Sequence, residues 1–548
     1  MNSSTAPLYV IDGVPYTSLL SGFNMADVEN LTVLKDASAT ALYGARAANG
    51  VVLITTKQGK AGRLSFDAEI KSGINVRYLP QYDVIDSPEE YMEVAYEAMK
   101  NTYERFGLKD KLTQLYNNPN AKFADGKTIA DAPKNAADLL FFPGILAGGE
   151  DATGIWDHYN LWKAGSGQMI DVNTGKFNNS YKRLYTPESW RDHIFRTGRI
   201  TETNVRVSGG SEKFNFSSSL GYQDNIGYYI SSEFNRLNLR NNVTVRPTKD
   251  FKVSLGLAYS RSLAKSPGQG SNSNNGFQFV NQIPAIYPVF EHDENGNLVN
   301  DPKIPGGKSY DYGQTADGSR AYAGGINPAG AVRLARDEDL TNLTTGNLNL
   351  EYRFLKDFKL AVTYGFQSTA SKKETLANPY YGDAAKIGRI SNLNENDFSW
   401  TLNEILSWGK TFGDHTVDAF IAHEATKNEL DFHESGKKKL ILGNVTTLDD
   451  GLIRGDISGY RLTYAIESYF GQARYDYQNK YYLSTSVRRD GSSRFAPDYR
   501  WGTFGSVGAA WIISKEKFLS PVKWINNLKL KASYGVLGNQ SLNLAYGS

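Results

Sequence analysis

Strict alternation between apolar and polar residues is the feature of this sequence that most limits its fold. In the stretch 251–260, Leu255, Leu257 and Tyr259 alternate with small or polar residues, and the same period of two recurs at 358–367 and 526–536. Successive side chains of a β-strand point to opposite faces, so the pattern predicts strands that lie between two unlike surroundings. By this test the chain contains about 13 strands, which begin near residues 62, 201, 213, 234, 251, 342, 358, 396, 415, 461, 480, 500 and 526.

The connections between these strands differ in length in a regular way. Tight links such as 208–213, 246–250 and 478–480 take turns with longer polar ones such as 77–200 and 263–340. Outer-membrane barrels have short turns at one end and long loops at the other. The pattern therefore favours a large antiparallel transmembrane β-barrel over a soluble β-sandwich, which also alternates. The link 514–525 should be tight by this rule and is not.

Composition agrees with an all-β fold and excludes several functions. The chain has 52 Gly, 34 Tyr, 26 Phe and a mean hydropathy of -0.45, which is typical of strands joined by polar loops. A net charge of +2 gives no reason to expect a nucleic-acid partner. Without cysteine, the chain can form neither disulfides nor thiolate metal sites.

No motif in the chain indicates catalysis, a metal or a cofactor. The six histidines lack zinc-binding spacing, and His423-Glu424 is followed by Lys427 where a zinc-protease motif needs a second His. The stretch 291–297 resembles a calcium loop, but Pro302 stands where the bidentate Glu belongs. We therefore expect no enzyme activity and no cofactor.

Residues 8–60 differ from the rest of the chain. Short apolar runs at 8–11, 28–34 and 51–54 are separated by the turn Asp12-Gly13 and by small residues. The run predicts a small mixed α/β unit, with a helix over Ala37–Tyr43 and a strand over Val51–Thr56.

Four stretches resemble the SusC/RagA family of TonB-dependent outer-membrane receptors of Bacteroidota. They occur in the family's order, and they read "PLYVIDGVP" (7–15), "VENLTVLKDASATALYGARAANGVVLITTKQGK" (28–60), "WRDHIFRTG" with "VSGGSEKFNFSSSLGY" (190–222), and "SVRRDGSSRFAPDYRWGTFGSVGAAWIISKEKF" with "NNLKLKASYGVLGNQ" (486–540). Gly505 stands where the family pattern usually has Pro.

The resemblance implies two domains, both incomplete. Residues 1–60 would be the C-terminal half of the plug domain, and residues 61–548 the N-terminal and middle part of a barrel of about 22 strands. The family's export signal, its first plug half and its last strands are missing from the chain. Since an open sheet of about 13 strands leaves unpaired edges that lipid does not tolerate, we expect this chain to be a fragment and not a competent transporter alone.

The resemblance also suggests which residues hold and release the plug. Gly44 and Gly50 would allow backbone conformations closed to other residues, and Lys35, Asp36 and Arg46 would pair with polar groups of the barrel lumen. The alternative is that these are ordinary solvated or capping charges. The full set of predicted plug residues is Asp12, Gly13, Lys35, Asp36, Tyr43, Gly44, Arg46 and Gly50.

The function that the resemblance implies is TonB-dependent import of a large nutrient, a glycan or an oligopeptide, across the outer membrane. The implied partners are a SusD-like surface lipoprotein, the TonB–ExbB–ExbD complex and outer-membrane lipid. A secreted glycan-binding adhesin and a ferric-chelate receptor are the alternatives. Aromatic rings in the long loops could stack on sugars, although packing within the loops explains them equally well; they are Trp156, Tyr159, Trp162, Tyr310 and Tyr312.

Overall fold

A computed structural model of the chain describes most of its residues. The described residues are 7–16, 20–35, 41–46, 49–78, 80, 82–105, 145–146, 150–151, 157–164, 168–171, 173–267, 275–303, 307–315, 318–320, 322–380, 384–443, 447–519, 522, 524–536 and 538.

The N-terminal residues form a small four-stranded sheet. Its strands are β1 (Leu8–Ile11), β2 (Val14–Tyr16), β3 (Val28–Leu34) and β4 (Val51–Thr56), in the order β2-β1-β4-β3. β1 pairs antiparallel with β2 and parallel with β4, so the sheet is mixed. The predicted helix over Ala37–Tyr43 differs in its described part, because Ala41–Arg46 is a 3₁₀ helix that is kinked at Gly44.

Among the described residues, thirteen further strands form one antiparallel sheet, and two short hairpins lie outside it. All strands after β4 are β5 (Gly62–Asn75), β6 (Ile145–Leu146), β7 (Glu150–Asp151), β8 (Gly198–Gly210), β9 (Phe214–Ile226), β10 (Glu233–Val245), β11 (Phe251–Lys265), β12 (Gln314–Thr315), β13 (Gly318–Ser319), β14 (Arg336–Phe354), β15 (Phe358–Ala377), β16 (Arg389–Phe412), β17 (His415–Leu440), β18 (Gly451–Tyr477), β19 (Tyr481–Ser492), β20 (Trp501–Ile512) and β21 (Lys529–Val536). The large sheet runs from β5 at one edge to β21 at the other in sequence order, without β6, β7, β12 and β13. The predicted fold class and strand number are confirmed, and the sheet is not closed into a ring.

The two faces of the large sheet are the reverse of those in a soluble protein. Leu237 and Leu239 on β10 are 41% and 44% exposed, whereas Asn238 between them is only 7% exposed. Polar side chains cover the concave inner face, and apolar ones cover the outer face. An apolar outer band with a polar interior is the arrangement of a sheet whose outer face contacts lipid.

Connection lengths alternate as the sequence predicts. Every second link, from β8–β9 to β18–β19, has two to five residues, and the links between them are longer. The β20–β21 link breaks the rule, because it runs from residue 513 to 528 and contains a 3₁₀ helix at Ile513–Lys515. Several strands begin earlier than predicted at their long-loop ends, most clearly β18, which starts at Gly451 and not near 461. The added residues 451–460 contain Leu452, Ile453 and Ile457 among glycines and polar residues without strict alternation, so the period of two does not reveal them.

The long links pack into two apolar cores of their own. They contain the helices α1 (Pro88–Arg105), α2 (Trp190–Ile194), α3 (Gly276–Phe279) and α4 (Pro328–Leu334). α1 begins after Ser87, whose Oγ accepts a hydrogen bond from Glu90 N, as the sequence predicts. Within the described residues, no helix has the length and apolar character needed to cross a membrane.

Candidate functional site

The predicted turn Asp12-Gly13 joins β1 to β2 and ties the small sheet together. Both residues have positive φ, 48° and 86°, and the loop between Ile11 and Val14 has two residues, which is the geometry of a type I′ hairpin turn. Asp12 Oδ1 accepts from Thr56 N at 2.9 Å and Oδ2 from Thr56 Oγ1 at 2.7 Å. The turn is therefore fastened to the end of β4.

Thr56 also joins the small sheet to the large one. Asn242 on β10 donates from Nδ2 to Thr56 Oγ1 and to Lys57 O, both at 3.0 Å. Both Thr56 and Asn242 are buried. A buried amide with two acceptors holds β4 against the inner face of β10.

Arg240 lies beside two carboxylates of the small unit. Its Nε is 3.4 Å from Asp27 Oδ2, and its Nη1 is 4.0 Å from Asp12 Oδ2. Ser219 donates to Asp27 Oδ1 at 2.6 Å. We call this group the first contact; it comprises Asp12, Asp27, Thr56, Ser219, Arg240 and Asn242.

Apolar packing supports the first contact. Leu343 of β14 is buried in a cluster with Tyr16, Phe23 and Ile54 of the small unit. Burial raises the pKa of Tyr16 to about 12, so its hydroxyl stays neutral. This side of the small unit is attached by both polar and apolar contacts.

A second attachment, the ionic cluster, lies on strands β17 and β19. It comprises Arg46 of the small unit with Glu424, Arg488 and Asp490 of the large sheet. Arg46 Nη2 and Arg488 Nη2 both donate to Glu424 Oε1, the latter at 2.7 Å, and Arg488 Nε donates to Asp490 Oδ1 at 2.6 Å. Two cations and two anions balance, as a cluster this well buried requires.

The kinked 3₁₀ helix meets this cluster at Gly44. Arg488 Nη1 donates to the carbonyl of Leu42 at 2.6 Å. A Cβ on Gly44 would lie 2.1 Å from Asp490 Oδ2 and 2.6 Å from Arg488 Nε, and the Gly44 backbone has φ 57° and ψ -139°. Only glycine fits there, for steric and for conformational reasons.

The other predicted plug residues have different surroundings. Tyr43 packs against the cluster of Val10 and Val51, and burial, reinforced by the charge of Glu424, raises its pKa. Gly50 has φ 92° just before β4. Lys35 is exposed beyond the end of β3, and Asp36 lies outside the described residues. The structure thus brings Asp12 to the first contact and Gly44 and Arg46 to the ionic cluster; a gating role for the whole set stays a prediction.

Sequence reasoning missed the partners on the large sheet. Arg240, Asn242, Glu424 and Arg488 lie on inner-face positions of strands, where most neighbours two residues away are also polar and buried. The alternation of apolar and polar residues does indicate that these four residues lie on the inner face of the sheet. Which of the many inner polar residues contact the small unit depends on strand order and register, which alternation does not specify.

The aromatic residues proposed for sugar stacking are mostly buried. Tyr159 and Trp162 are in one loop core, and Tyr310 and Tyr312 are in the other. Packing within the loops accounts for these four rings as placed here. Trp156 lies outside the described residues, and a role of any of the five in substrate binding stays a prediction.

Tyr159 shows what stabilises the loop cores. Its hydroxyl donates to both carboxylate oxygens of Asp311 at 3.0 Å, and Arg320 Nη1 lies 3.5 Å from Asp311 Oδ2. Burial raises the pKa of Tyr159 and that of Asp311. The group is an internal polar contact between the two loop cores.

Over the residues that the structure describes, no three His, Cys, Asp or Glu side chains are grouped as metal ligands would be.

Comparison with known proteins identifies relatives over nearly the whole chain. Residues 1–51 match the family model for the TonB-dependent Receptor Plug Domain. The TonB-dependent receptor SusC of Bacteroides thetaiotaomicron is 26% identical and aligns with 99% of this chain and 47% of its own length. The TonB-dependent receptor P3 of Formosa agariphila is 24% identical, over 99% of this chain and 45% of its own length.

Solved structures of the same kind share the fold. The RagAB peptide importer in the 'closed-closed' state superposes with a TM-score of 0.71 at 25% identity, over 99% of this chain and 55% of that chain. In its 'open-open' state the TM-score is 0.70 at 24% identity, over 99% and 54%. The chain spans about half the length of the curated relatives it matches. The matched family consists of transport receptors rather than enzymes.

Proposed function

We propose that this chain, which is a SusC/RagA-type TonB-dependent receptor of the outer membrane, serves TonB-dependent import of a large nutrient, a glycan or an oligopeptide. The observation that carries the proposal is the small sheet lodged against the polar inner face of the large one. A unit in this position obstructs passage along that face. Transport then requires the obstruction to move.

In this proposal residues 1–60 are the C-terminal half of the plug, and residues 61–548 are the N-terminal and middle part of the barrel. The change of character after Lys60 supports the boundary, because β5 starts at Gly62 and pairs only within the large sheet. The curated relatives are about twice as long.

The ionic cluster is the part of the plug contact that we assign to release. Its charges balance while Arg46 is in place, and the same charges become hydrated once the lumen opens to water. Hydration offsets much of the lost pairing, so such a contact can break and re-form. An apolar contact of the same size would expose its surface to water on each opening.

The partners follow from the two ends of the sheet. A SusD-like lipoprotein would cover the end with the long loops, and the TonB–ExbB–ExbD complex would pull the plug from the end with the short turns. The similarity to SusC and to the RagAB peptide importer supports these partners.

Uptake by cells tests the proposal. Cells that express the complete receptor should accumulate one of three labelled panels, glycans, peptides or ferric chelates, and lose that uptake when the receptor gene or TonB is deleted. We expect a glycan or a peptide. Uptake that persists without TonB, or surface binding without any accumulation, would contradict import and support an adhesin.

A further inference from the structure

An apolar patch interrupts the polar inner face of the large sheet on the long-loop side of the plug contact. Leu430 and Phe432 on β17 are an even number of residues from Glu424, so alternation puts them on the inner face with it. Tyr460 and Leu462 on β18 are their register partners. We call these four residues the inner patch. Along β17 the patch begins about 20 Å from Glu424 at the usual strand rise.

The inner patch is partly open to water. The rings of Phe432 and Tyr460 stack, with their centres 4.7 Å apart and their planes 15° apart. Both rings are partly exposed, and Leu462 is 50% exposed. None of the four residues belongs to the apolar clusters that the described residues form. Exposed apolar side chains that lie together are typical of a binding surface.

The strands that carry the inner patch extend further than the next strand of the sheet. β17 and β18 have 26 and 27 residues, whereas β19 has 12. β19 pairs with β18 only as far as Ile466, so Tyr460 and Leu462 lie beyond the last of these pairs. The patch therefore lies between the long loops and the plug, and a solute that enters from the loop side meets it before it reaches the plug.

Two carboxylates lie beside the inner patch on β16. Glu395 is the register partner of Phe432, and Asp397 is that of Leu430. Both carboxylates are therefore on the inner face, in the two rows that cross the patch, and both side chains are partly buried. Because Cβ atoms at opposed positions lie about 4.5–5.5 Å apart, Glu395 and the ring of Phe432 border the same space.

Among the described residues, no cation pairs with either carboxylate. The charges that act on Glu395 are those of Asp397 and Asp339, which are both negative. Asp397 accepts a hydrogen bond from Asn428 Nδ2 at 2.6 Å, and this amide carries no charge. Carboxylates this close repel each other, and a bound cation would remove the repulsion.

Cations on the adjoining strands are engaged elsewhere. Lys373 on β15 is on the inner face, two residues beyond the register partner of Glu395, and its Nζ is 3.1 Å from Asp337 Oδ1. Arg494 follows β19 and lies over the ring of Tyr464 on β18, 3.9 Å from its centre, two strands away from β16. This part of the inner face is therefore negative, and charge complementarity selects a cationic ligand.

An aromatic ring beside two carboxylates suits an ammonium or guanidinium group. The carboxylates accept charge-assisted hydrogen bonds from its N–H groups, and the face of the ring attracts the cation. The alkyl chain of a lysine or arginine packs on apolar side chains such as those of the patch. A neutral sugar that stacks on the rings would leave both negative charges unpaired.

We infer that the inner patch, Glu395 and Asp397 together form a binding site for a basic side chain of an imported oligopeptide. The inference rests on the proposed function, because the site lies on the route that an imported oligomer takes to the plug. It selects basic peptides among the nutrients that the proposed function allows.

Equilibrium binding to the complete receptor in detergent tests the site. The probes are N-acetyl-trilysine amide, N-acetyl-trialanine amide as its neutral counterpart, and maltotriose. We expect the trilysine peptide to bind, and to bind more weakly as salt is raised, because salt screens the attraction between the charges. The two neutral probes should bind at least tenfold more weakly.

Three variants assign that binding to the site. Glu395→Gln and Asp397→Asn should each weaken binding of the trilysine peptide about tenfold, the effect of losing one hydrogen bond to a charged group. Glu395→Gln also relieves the repulsion, so its melting temperature should stay the same or rise, which separates loss of the site from loss of the fold. Phe432→Leu keeps an apolar side chain but removes the ring, and should weaken binding about two- to fivefold.

Glu429→Gln is the matched control. Glu429 is one residue from Leu430 on β17, so it points to the outer face, where it pairs with Lys427 at 2.6 Å. Its replacement changes the net charge as Glu395→Gln does and should leave binding unchanged. No binding of the trilysine peptide, equal binding of the trialanine peptide, or equal losses in Glu395→Gln and Glu429→Gln would overturn the inference. Maltotriose binding that depends on Phe432 would also overturn it and make the patch a sugar platform.

The same variants distinguish this inference from the proposed function. Binding of the trilysine peptide that depends on Glu395, in a receptor that imports nothing, would refute import and leave the site standing. TonB-dependent import that is unaffected by Glu395→Gln would refute the site and leave import standing.

Discussion

At the residue scale, Gly44 is the position where the plug contact tolerates the least change. Gly44→Ala adds a Cβ against Asp490 and Arg488 and also demands a backbone conformation that costs of the order of 1–3 kcal/mol for other residues. We expect the substitution to push the 3₁₀ helix away from the ionic cluster. Thermal unfolding of the complete receptor should shift down, and cells should become sensitive to vancomycin, which is too large for ordinary porins.

Gly13→Ala is the matched control for that experiment. Gly13 also has positive φ, 86°, but nothing lies within 4 Å of a Cβ placed there. Gly13→Ala therefore introduces backbone strain without a steric clash, and its effect on stability should be smaller than that of Gly44→Ala. Equal effects would mean that contact with Arg488 and Asp490 does not set the outcome at Gly44.

The two arginines of the ionic cluster should differ in importance. Arg46→Ala leaves Glu424 paired with Arg488. We therefore expect the free energy of unfolding to fall by about 1.5–3 kcal/mol, the usual contribution of one hydrogen bond to a charged group. Arg488→Ala removes bonds to Glu424, Asp490 and the Leu42 carbonyl, and should cost about 3–5 kcal/mol. Unfolding of the complete receptor in detergent would measure both.

An exposed ion pair provides the reference for these two variants. Arg461 lies 2.7 Å from Asp431, and its side chain is 71% exposed. Arg461→Ala should leave the free energy of unfolding nearly unchanged, because water and salt screen an exposed pair. If Arg46→Ala costs no more than Arg461→Ala, the cluster contributes little to holding the plug.

At the scale of elements, α1 is attached to the loop beside it by a carboxylate that titrates. Glu93 accepts from Lys176 Nζ at 2.8 Å and from Phe177 N at 2.9 Å. The hydrogen bond from Lys176, with that from Phe177, lowers the pKa of Glu93. A lowered pKa in the folded state means that the stabilisation is complete above the unfolded value of about 4.3 and is lost as the pH falls through the folded value.

Hydrogen exchange at Phe177 would measure this pH dependence. We expect its protection factor, which is corrected for intrinsic exchange, to fall below pH 4 and to stay constant from pH 6 to 8. In Glu93→Gln the protection should be lower and should no longer change with pH. A pH profile that is identical in both proteins would show that Glu93 does not fasten the loop.

At the scale of the whole molecule, the plug is attached unequally to the two parts of the wall. The first contact joins it to β9 and β10, with apolar packing against β14, whereas the ionic cluster is what joins its described residues to β17 and β19. The first contact also contains charges, Arg240 beside Asp27 and Asp12, but its apolar packing around Leu343 would be exposed to water on separation and would recover no energy there. We therefore expect the plug to separate from the large sheet first at the ionic cluster.

A disulfide across the first contact tests this order. A Cβ on Gly22 would lie 4.0 Å from the Cβ of Leu343, within the usual range of about 3.5–4.5 Å for a disulfide. These 548 residues contain no cysteine, so Gly22→Cys with Leu343→Cys introduces the one cysteine pair within them. Uptake should survive oxidation of this pair. Uptake that is blocked on oxidation and restored by reduction would show that the first contact must also break.

The strands were predictable because their cause is local. In β11, apolar residues of the outer face such as Leu255 and Leu257 alternate with polar or small residues of the inner face. This period of two lets the sequence alone indicate the number of strands, the face to which each side chain points and the alternation of turns and loops. The strand ends at Gly451 and Arg336 were less predictable, because apolar and polar residues do not alternate strictly there. The predicted helix at Ala37–Tyr43 illustrates the limit of local preference, since the described part is shaped by contact with Arg488.

The sequence by itself determined a β-sheet with unlike faces, tight turns at one end, the Asp12-Gly13 turn and the glycines that need special backbone conformations. Only the tertiary structure decided that Arg46 meets Glu424, 378 residues away, and that Glu395 stands opposite Phe432. The reason is physical. The face of the sheet to which a side chain points depends on a period of two within its own strand. The residues that a side chain contacts across strands depend on strand order, on register and on the position of the small sheet, all of which are set by the packing of the whole chain.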